Sequence, residues 1–95
     1  MSELRPRPIH PGEILREEFL PEYSLTPGSL AKALHVPRDR IEKLIREKRA
    51  VSADTAVRLA RYFNTTPQFW MNLQTNYDLA TVEVDEIAEI EPRAA

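Results

Sequence analysis

PGSLAKALHVPRDRIEKLIR, residues 27 to 46, predicts two short helices separated by a tight turn. Thr26 followed by Pro27 is typical of a helix start, because threonine caps free N–H groups and proline suits the first helical position. Val36-Pro37 ends this helix, since proline lacks an N–H group and restricts the residue before it. Apolar residues recur at helical spacing on both sides of the turn: Leu30, Ala31, Ala33, Leu34, Ile41, Leu44 and Ile45.

This arrangement matches a helix-turn-helix, in which the second helix enters the major groove of DNA. The small residue Ala31 stands where two crossing helices must approach closely. His35 takes the turn position usually held by glycine, and histidine tolerates the left-handed conformation moderately well. Pro37 gives the second helix no Ser/Thr cap, and Glu47 follows it where glycine would be expected. The predicted shared core consists of Leu30, Leu34, Val36, Ile41 and Leu44.

Charge is concentrated in and after the second helix. Residues 36 to 49, VPRDRIEKLIREKR, hold nine charged residues in fourteen, and six of these are basic. An αα-hairpin whose charges stay in water would share this periodicity, because exposed helices carry both signs. The concentration of charge and the small residue at the helix crossing favour DNA binding over that alternative.

The predicted DNA contacts form two groups. The first lies on the outward-facing N-terminal part of the second helix, where arginine can bind guanine bidentately and aspartate can accept from cytosine N4. These base-reading candidates are Arg38, Asp39, Arg40 and Lys43. The second group is expected to bind phosphates and so to fix the register of the protein on the duplex. These phosphate candidates are Thr26, Ser29, Arg46, Lys48 and Arg49.

Three more helices complete a predicted all-α, five-helix bundle. A short one carries Ile14, Leu15, Phe19 and Leu20 and is expected to stop at Pro21. Ser52 caps the next, ADTAVRLARYF, and Thr66-Pro67 opens the last. We expect residues 1–8 to be an extended arm, residues 9–80 a DNA-binding and dimerisation domain, and residues 81–95 an acidic tail. TVEVDEI, residues 81 to 87, is compatible with a strand, a frayed helix or a tail.

The composition excludes several classes of site. A chain of 95 residues forms one modest domain, and the absence of cysteine excludes disulfides and thiolate metal sites. His10 and His35 stand far apart, so neither a metal nor another cofactor is expected. No apolar run approaches the ~20 residues of a membrane span, and no signal peptide is apparent, so we expect a cytoplasmic protein without membrane contact.

Two motifs invite functional readings that their surroundings do not favour. HPGEIL places His10 near Glu13, but no nucleophile accompanies them, so we expect a helix start and no catalytic residue or small-molecule substrate. Phe69 and Trp70 could stack on bases, yet their helical spacing from Leu73 and Tyr77 favours packing in the core and at a dimer interface.

The charge of the chain is divided along its length. Residues 1–62 hold 12 Lys and Arg against nine Asp and Glu, whereas residues 63–95 hold one against six. An acidic C-terminal segment could dock a basic partner, and a solvated disordered end would have the same composition. The sequence leaves both interpretations open.

Three stretches together resemble the HigA-type antitoxins of the Xre/Cro-like helix-turn-helix group: IHPGEILREEFL, LAKALHVPRDRIEKLI and KRAVSADTAVRLARYFNTTPQFWMNLQTNYDL. The resemblance covers about residues 9 to 79, and the pairing of HPGE with TTPQFWMNLQ and YDL is its most specific part. It implies a lambda-repressor-like fold and a homodimer that represses its own operon on double-stranded operator DNA. It further implies that the helix starting at Pro37 reads the operator.

The resemblance also implies a partner, a HigB or RelE-like mRNA-cleaving toxin that the protein neutralises. By resemblance, the dimer interface lies at or near Phe69, Trp70, Leu73 and Tyr77. Many members carry Asn-Gly where this chain has Arg46-Glu47. An RNA-binding toxin would be basic, so the acids of GEILREEFLPE are expected to face it: Glu13, Glu17, Glu18 and Glu22. The alternatives are a stand-alone regulator of the same fold and an enzyme subunit that uses the bundle only for assembly.

Overall fold

The computed structural model describes residues 7–94, and within them the chain is helical, with no strand. Five helices follow in order: α1 (Pro11–Ile14, Leu15–Phe19 and Leu20–Glu22), α2 (Pro27–Leu34), α3 (Arg38–Ile45), α4 (Ala53–Phe63) and α5 (Pro67–Ala80). The all-α, helix-turn-helix prediction is confirmed. Residues 1–6 of the predicted arm lie outside the described residues.

The prediction that Pro21 ends the first helix is wrong. The helix widens into a π-helical turn over Leu15–Phe19 and then continues through Leu20–Glu22. In this turn the Leu20 N–H donates to the Leu15 carbonyl, five residues back. A proline inside a helix removes one hydrogen bond and crowds the carbonyl four residues earlier, and the wider turn relieves that crowding.

Side-chain caps begin three of the helices as the sequence predicts. Thr26, Ser52 and Thr66 each accept a hydrogen bond from the N–H three residues on. Pro37 precedes α3 without a side-chain cap. The turn between α2 and α3 closes through His35, which adopts the left-handed conformation (φ 61°), while the Val36 N–H donates to the Ala31 carbonyl at 3.0 Å.

The core fills the space between all five helices. Four of the five side chains predicted as the helix-turn-helix core are buried, with Leu30 and Ile41 completely so, whereas Val36 is only half-buried and packs against the core. Ala31, where α2 and α3 pack together, is also buried. Trp70 of α5 is also completely buried, and its Nε1 donates to Thr65 at 2.8 Å. Around it lies an aromatic cluster of Phe19, Phe63 and Phe69.

Residues 81–94 extend from the end of α5 as an exposed segment. Its one helical element is a 3₁₀ turn at Ile87–Glu89, so TVEVDEI forms no strand. Apolar side chains in this segment, Val84 and Ile90 among them, remain exposed between acidic neighbours. The segment therefore adds negative surface and apolar surface without adding to the core.

Candidate nucleic-acid interface

The outer face of α3 is polar because the core takes its opposite face. Ile41 and Leu44 are buried, and at 100° per residue Asp39 and Lys43 point away from them. Both are exposed, and they form an i, i+4 ion pair of 3.2 Å. Arg38 pairs with Glu42 in the same way at 2.7 Å. The base-reading candidates thus lie on a surface that also carries an acid, Glu42, which the sequence-based prediction did not include.

Arg40 differs from the other three candidates because it turns toward α4. Its guanidinium lies 3.0 Å from the Asp54 carboxylate, and Arg58 binds the same carboxylate oxygen at 2.7 Å. Arg58 also donates to the Leu34 carbonyl at 2.9 Å, at the end of α2. The hydrogen bond from Arg58 lowers the pKa of Asp54, and the hydrogen bond and charge of Arg40 lower it further. Asp54 therefore ties together α2, α3 and α4.

The phosphate candidates lie at two places. Thr26 and Ser29 form a reciprocal capping box at the start of α2, with hydrogen bonds of 3.0 Å and 2.9 Å. Their hydroxyls are exposed, and the helix N-terminus behind them favours an anion. Arg46, Lys48 and Arg49 are exposed after α3, and among residues 7–94 no carboxylate pairs with them.

Helix α1 fixes the C-terminal end of α3. A Cβ on Gly12 would lie 1.8 Å from the Leu44 carbonyl oxygen, so only glycine allows this approach. Arg16 donates to the carbonyl of Ile45 and to Glu47. Glu47 adopts the left-handed conformation (φ 63°), which is the position where the sequence led us to expect glycine. Because these contacts hold the last turn of α3, they also set the direction in which its outer face points.

The two histidines have structural roles. His10 is 3% exposed, and its Nδ1 accepts a hydrogen bond from the Gly12 N–H at 2.8 Å. Burial lowers the pKa of His10, and this outweighs the opposing effect of the Glu47 and Asp78 carboxylates. Within residues 7–94 no cluster of three metal-binding side chains occurs, and no helix is long and apolar enough to span a bilayer.

The four predicted dimer residues do not share one surface. Trp70 belongs to the core of the single chain, which corrects its assignment to the interface, because a completely buried ring has no surface to offer a second copy. Leu73 and Tyr77 are half-buried, and Tyr77 packs edge-on against His10 with ring centroids 4.8 Å apart. Phe69 is 39% exposed and faces α1 instead.

The four acids predicted to face the toxin fall into two groups, two in ion pairs and two at a groove. Glu13 pairs with Arg7 at 2.7 Å, and Glu17 pairs with Arg16 at 3.0 Å. Glu18 and Glu22 instead border a groove of about 380 Å³ together with apolar side chains of α1 and α5. This groove is lined by Ile14, Glu18, Phe19, Glu22, Tyr23 and Phe69. Phe69, predicted to lie at the dimer interface, thus lines the same groove as Glu18 and Glu22, which were predicted to face the toxin.

The sequence-based prediction did not include the residues that hold α3 and the chain after it in place. Asp54 and Arg58 stand four residues apart on a helix, a spacing typical of an ion pair, and that signal was available. Gln74 gave no such signal. It is buried, accepts from the Val51 N–H at 2.7 Å and donates to Asp78 at 2.9 Å, which anchors the chain after α3 to α5.

Comparison with known proteins places this geometry among bacterial regulators. Residues 15–70 match the helix-turn-helix family model. The chain is 55% identical over 78 residues to virulence-associated protein I of Dichelobacter nodosus. This match covers 82% of this chain and 72% of that protein. A solved structure of Pseudomonas aeruginosa antitoxin HigA with the higBA promoter superposes with a TM-score of 0.86 at 54% identity, over 90% of this chain and 98% of that one. Antitoxin GraA in complex with its operator superposes with a TM-score of 0.85 at 43% identity, over the full length of both chains.

Proposed function

We propose that this chain, which belongs to the HigA-type antitoxins of the helix-turn-helix family, is a dimeric repressor of its own operon that also neutralises a RelE-like mRNA-cleaving toxin. The observation that carries the DNA-binding part is the outer face of α3. Its end is fixed by Gly12 and Arg16, and its flank is fixed by Asp54, so the polar face is presented in one orientation. A reading helix needs this rigidity because base contacts depend on direction.

Base reading on this face requires an exchange of partners. Arg38 would break its ion pair with Glu42 to bind guanine. Lys43 would break its ion pair with Asp39, whose carboxylate could then accept a hydrogen bond from cytosine N4. Exposed i, i+4 ion pairs contribute only about 0.3–0.5 kcal/mol, so these exchanges cost little. Arg40 would reach the duplex from the side of the helix next to α4.

Phosphate contacts would hold the helix in the groove. The start of α2, with Thr26 and Ser29, offers an anion-binding helix N-terminus. Beyond the end of α3, Arg46, Lys48 and Arg49 offer positive charges that no carboxylate of residues 7–94 pairs with. Two groups on either side of the reading helix would fix its register. The solved structures of HigA with a promoter and of GraA with its operator support DNA binding by this fold.

Dimerisation follows from the small size of the reading element. A single helix of eight residues contacts few base pairs, so selective binding needs two half-sites about 34 Å apart on the duplex. We assign the pairing surface to α5 around Leu73 and Tyr77, which stay half-buried in the single chain. A second copy would complete the burial of these side chains.

The DNA assignment is tested by operator binding of four variants. Arg38→Ala and Lys43→Ala should each weaken operator binding by roughly 1–3 kcal/mol and relax the base preference at one position. Lys48→Ala should weaken all duplexes alike and lower the salt dependence by about one phosphate contact. Arg93→Ala removes the same charge from the exposed C-terminal segment and serves as the control. Operator affinity and selectivity that survive both α3 substitutions would refute the reading helix.

The toxin assignment needs a separate experiment. We expect a small basic reading frame beside this gene. Its product should arrest growth when expressed alone, and co-expression of this chain should restore growth. The two proteins should also purify as one complex. If no neighbouring product is toxic or bound, the chain is a stand-alone regulator and only the DNA-binding part of the proposal survives.

A further inference from the structure

We propose that the groove lined by Ile14, Glu18, Phe19, Glu22, Tyr23 and Phe69, named here the α1–α5 groove, seats a segment of the toxin in which an apolar side chain is flanked by Lys or Arg. This inference rests on the proposed antitoxin function and deepens it by naming the contact surface. None of the residues assigned to DNA contact lines this groove.

The floor of the α1–α5 groove is rigid. Phe19 is half-buried, and its ring lies 4.8 Å from that of Phe63 and 5.0 Å from that of Trp70, measured between centroids. Trp70 is itself held by its hydrogen bond to Thr65. An aromatic floor fixed in this way needs no rearrangement to receive a side chain, so little ordering cost opposes binding.

The walls of the groove leave aromatic surface open to solvent. Tyr23 is 52% exposed and Phe69 is 39% exposed, although each touches the aromatic cluster on one side. Half-exposed aromatic rings beside a cavity are typical of protein interaction sites, where they supply apolar contact area at small entropic cost. The groove has a volume of about 380 Å³, which gives room for a large apolar side chain.

The rim of the groove carries two carboxylates. Glu18 and Glu22 are exposed, and among residues 7–94 neither pairs with a basic side chain. Their neighbours on the same helix, Glu13 and Glu17, are both occupied by arginines. The rim is therefore the part of α1 that can form new ion pairs without breaking existing ones. The mRNA-cleaving toxin of the proposed function would be basic because it binds a polyanion.

A second copy of this chain fits the groove less well than a basic partner. A two-fold dimer contact is built from the same patch on both subunits. Centring one on this groove would bring Glu18 and Glu22 of one copy against the same acids of the other, which is unfavourable. DNA is excluded by the same charge. Phe69, expected from the resemblance to lie at the dimer interface, is therefore assigned to the toxin side.

The experiment measures toxin affinity, operator affinity and solution mass on the full-length chain. The titrant is the purified product of the neighbouring basic reading frame, studied by calorimetry at physiological salt. Glu18→Lys combined with Glu22→Lys tests the rim, and Tyr23→Ala tests the wall. Glu83→Lys combined with Glu86→Lys makes the same charge change in the exposed C-terminal segment and is the matched control. Circular dichroism checks that each variant keeps its helices.

The rim variant should lose toxin affinity by about tenfold or more, with a smaller loss for Tyr23→Ala, while operator affinity and mass stay unchanged. Unchanged toxin affinity in both variants overturns the groove assignment and leaves the antitoxin function standing. A fall in mass would instead make the groove an interface between copies. An equal loss in the control would mean either a general effect of charge or toxin docking on the C-terminal segment. Each of these results overturns the proposal. If the unaltered chain binds no toxin, the antitoxin function fails together with the groove.

Discussion

The carboxylate of Asp54, on α4, holds the guanidinium of Arg40, on α3, at 3.0 Å across fourteen residues of sequence. The same oxygen binds Arg58, whose other nitrogen reaches the carbonyl end of α2. Each of these side chains is partly exposed, so the ion pairs add little stability individually. Their effect is geometric, because one carboxylate fixes the direction of an arginine beside the reading face.

Asp54→Asn should change operator selectivity more than operator affinity. The substitution keeps the shape of the side chain but removes the charge that orients Arg40, so base preference should relax at one position of each half-site. Binding to unrelated duplexes should stay equal or rise slightly, because a negative charge near the DNA is lost. Fluorescence anisotropy against a set of single-base operator variants measures both effects. Asp85→Asn, in the exposed C-terminal segment, is the control, and a selectivity profile identical to that of the unaltered chain would contradict the positioning role.

The sequence predicted the parts of the fold that depend on local signals. Thr26, Ser52 and Thr66 cap helices in the structure, and His35 turns the chain in the left-handed conformation as its position implied. The buried face of the helix-turn-helix was also predictable, because apolar spacing specifies which side of a helix faces inward.

Contacts between distant residues were not predictable in the same way. Helical spacing marks Trp70 as apolar-facing, but it does not distinguish the core of one chain from the interface between two, and the structure places Trp70 in the core. The continuation of α1 through Pro21 depends on a π-helical turn that has no sequence signal. The meeting of Glu18 and Glu22 with Phe69 likewise arises only when α1 packs on α5.

Gly12→Ala should destabilise the protein, whereas Gly28→Ala should not. A methyl group at Gly12 would overlap the Leu44 carbonyl, and forcing α1 and α3 apart should cost about 1–3 kcal/mol or more. At Gly28 the nearest atoms belong to the flexible Arg38 side chain at 3.7 Å, and alanine in a helix is favoured over glycine by roughly 0.5–1 kcal/mol. Thermal unfolding of the two variants measures the contrast. Equal melting temperatures would contradict the close approach of α1 to α3.

The stability of the protein should fall as pH drops below the ordinary pKa of histidine. Burial lowers the pKa of His10 in the folded state, so the unfolded chain binds a proton more readily. The contribution of His10 is therefore complete above about pH 6.5 and is lost as the pH falls toward the lower folded pKa. His10→Asn keeps an acceptor for the Gly12 N–H and removes the titration. Melting temperatures between pH 8 and pH 5.5 should decline more steeply for the unaltered chain, and parallel curves would show that His10 carries no such linkage.

Leu73→Asp should separate the dimer, and Leu79→Asp should not. Both lie on α5, but Leu73 is half-buried beside Tyr77, whereas Leu79 is 69% exposed and at 100° per residue lies far around the helix from Leu73. A carboxylate at the pairing surface would be buried without a partner, so the dimer should dissociate at micromolar concentration. Operator affinity should fall with it, because a monomer reads only one half-site. Sedimentation velocity gives the mass, circular dichroism shows whether the monomer stays helical, and anisotropy gives the affinity. A dimer that survives Leu73→Asp and dissociates in Leu79→Asp would move the pairing surface to the opposite side of α5.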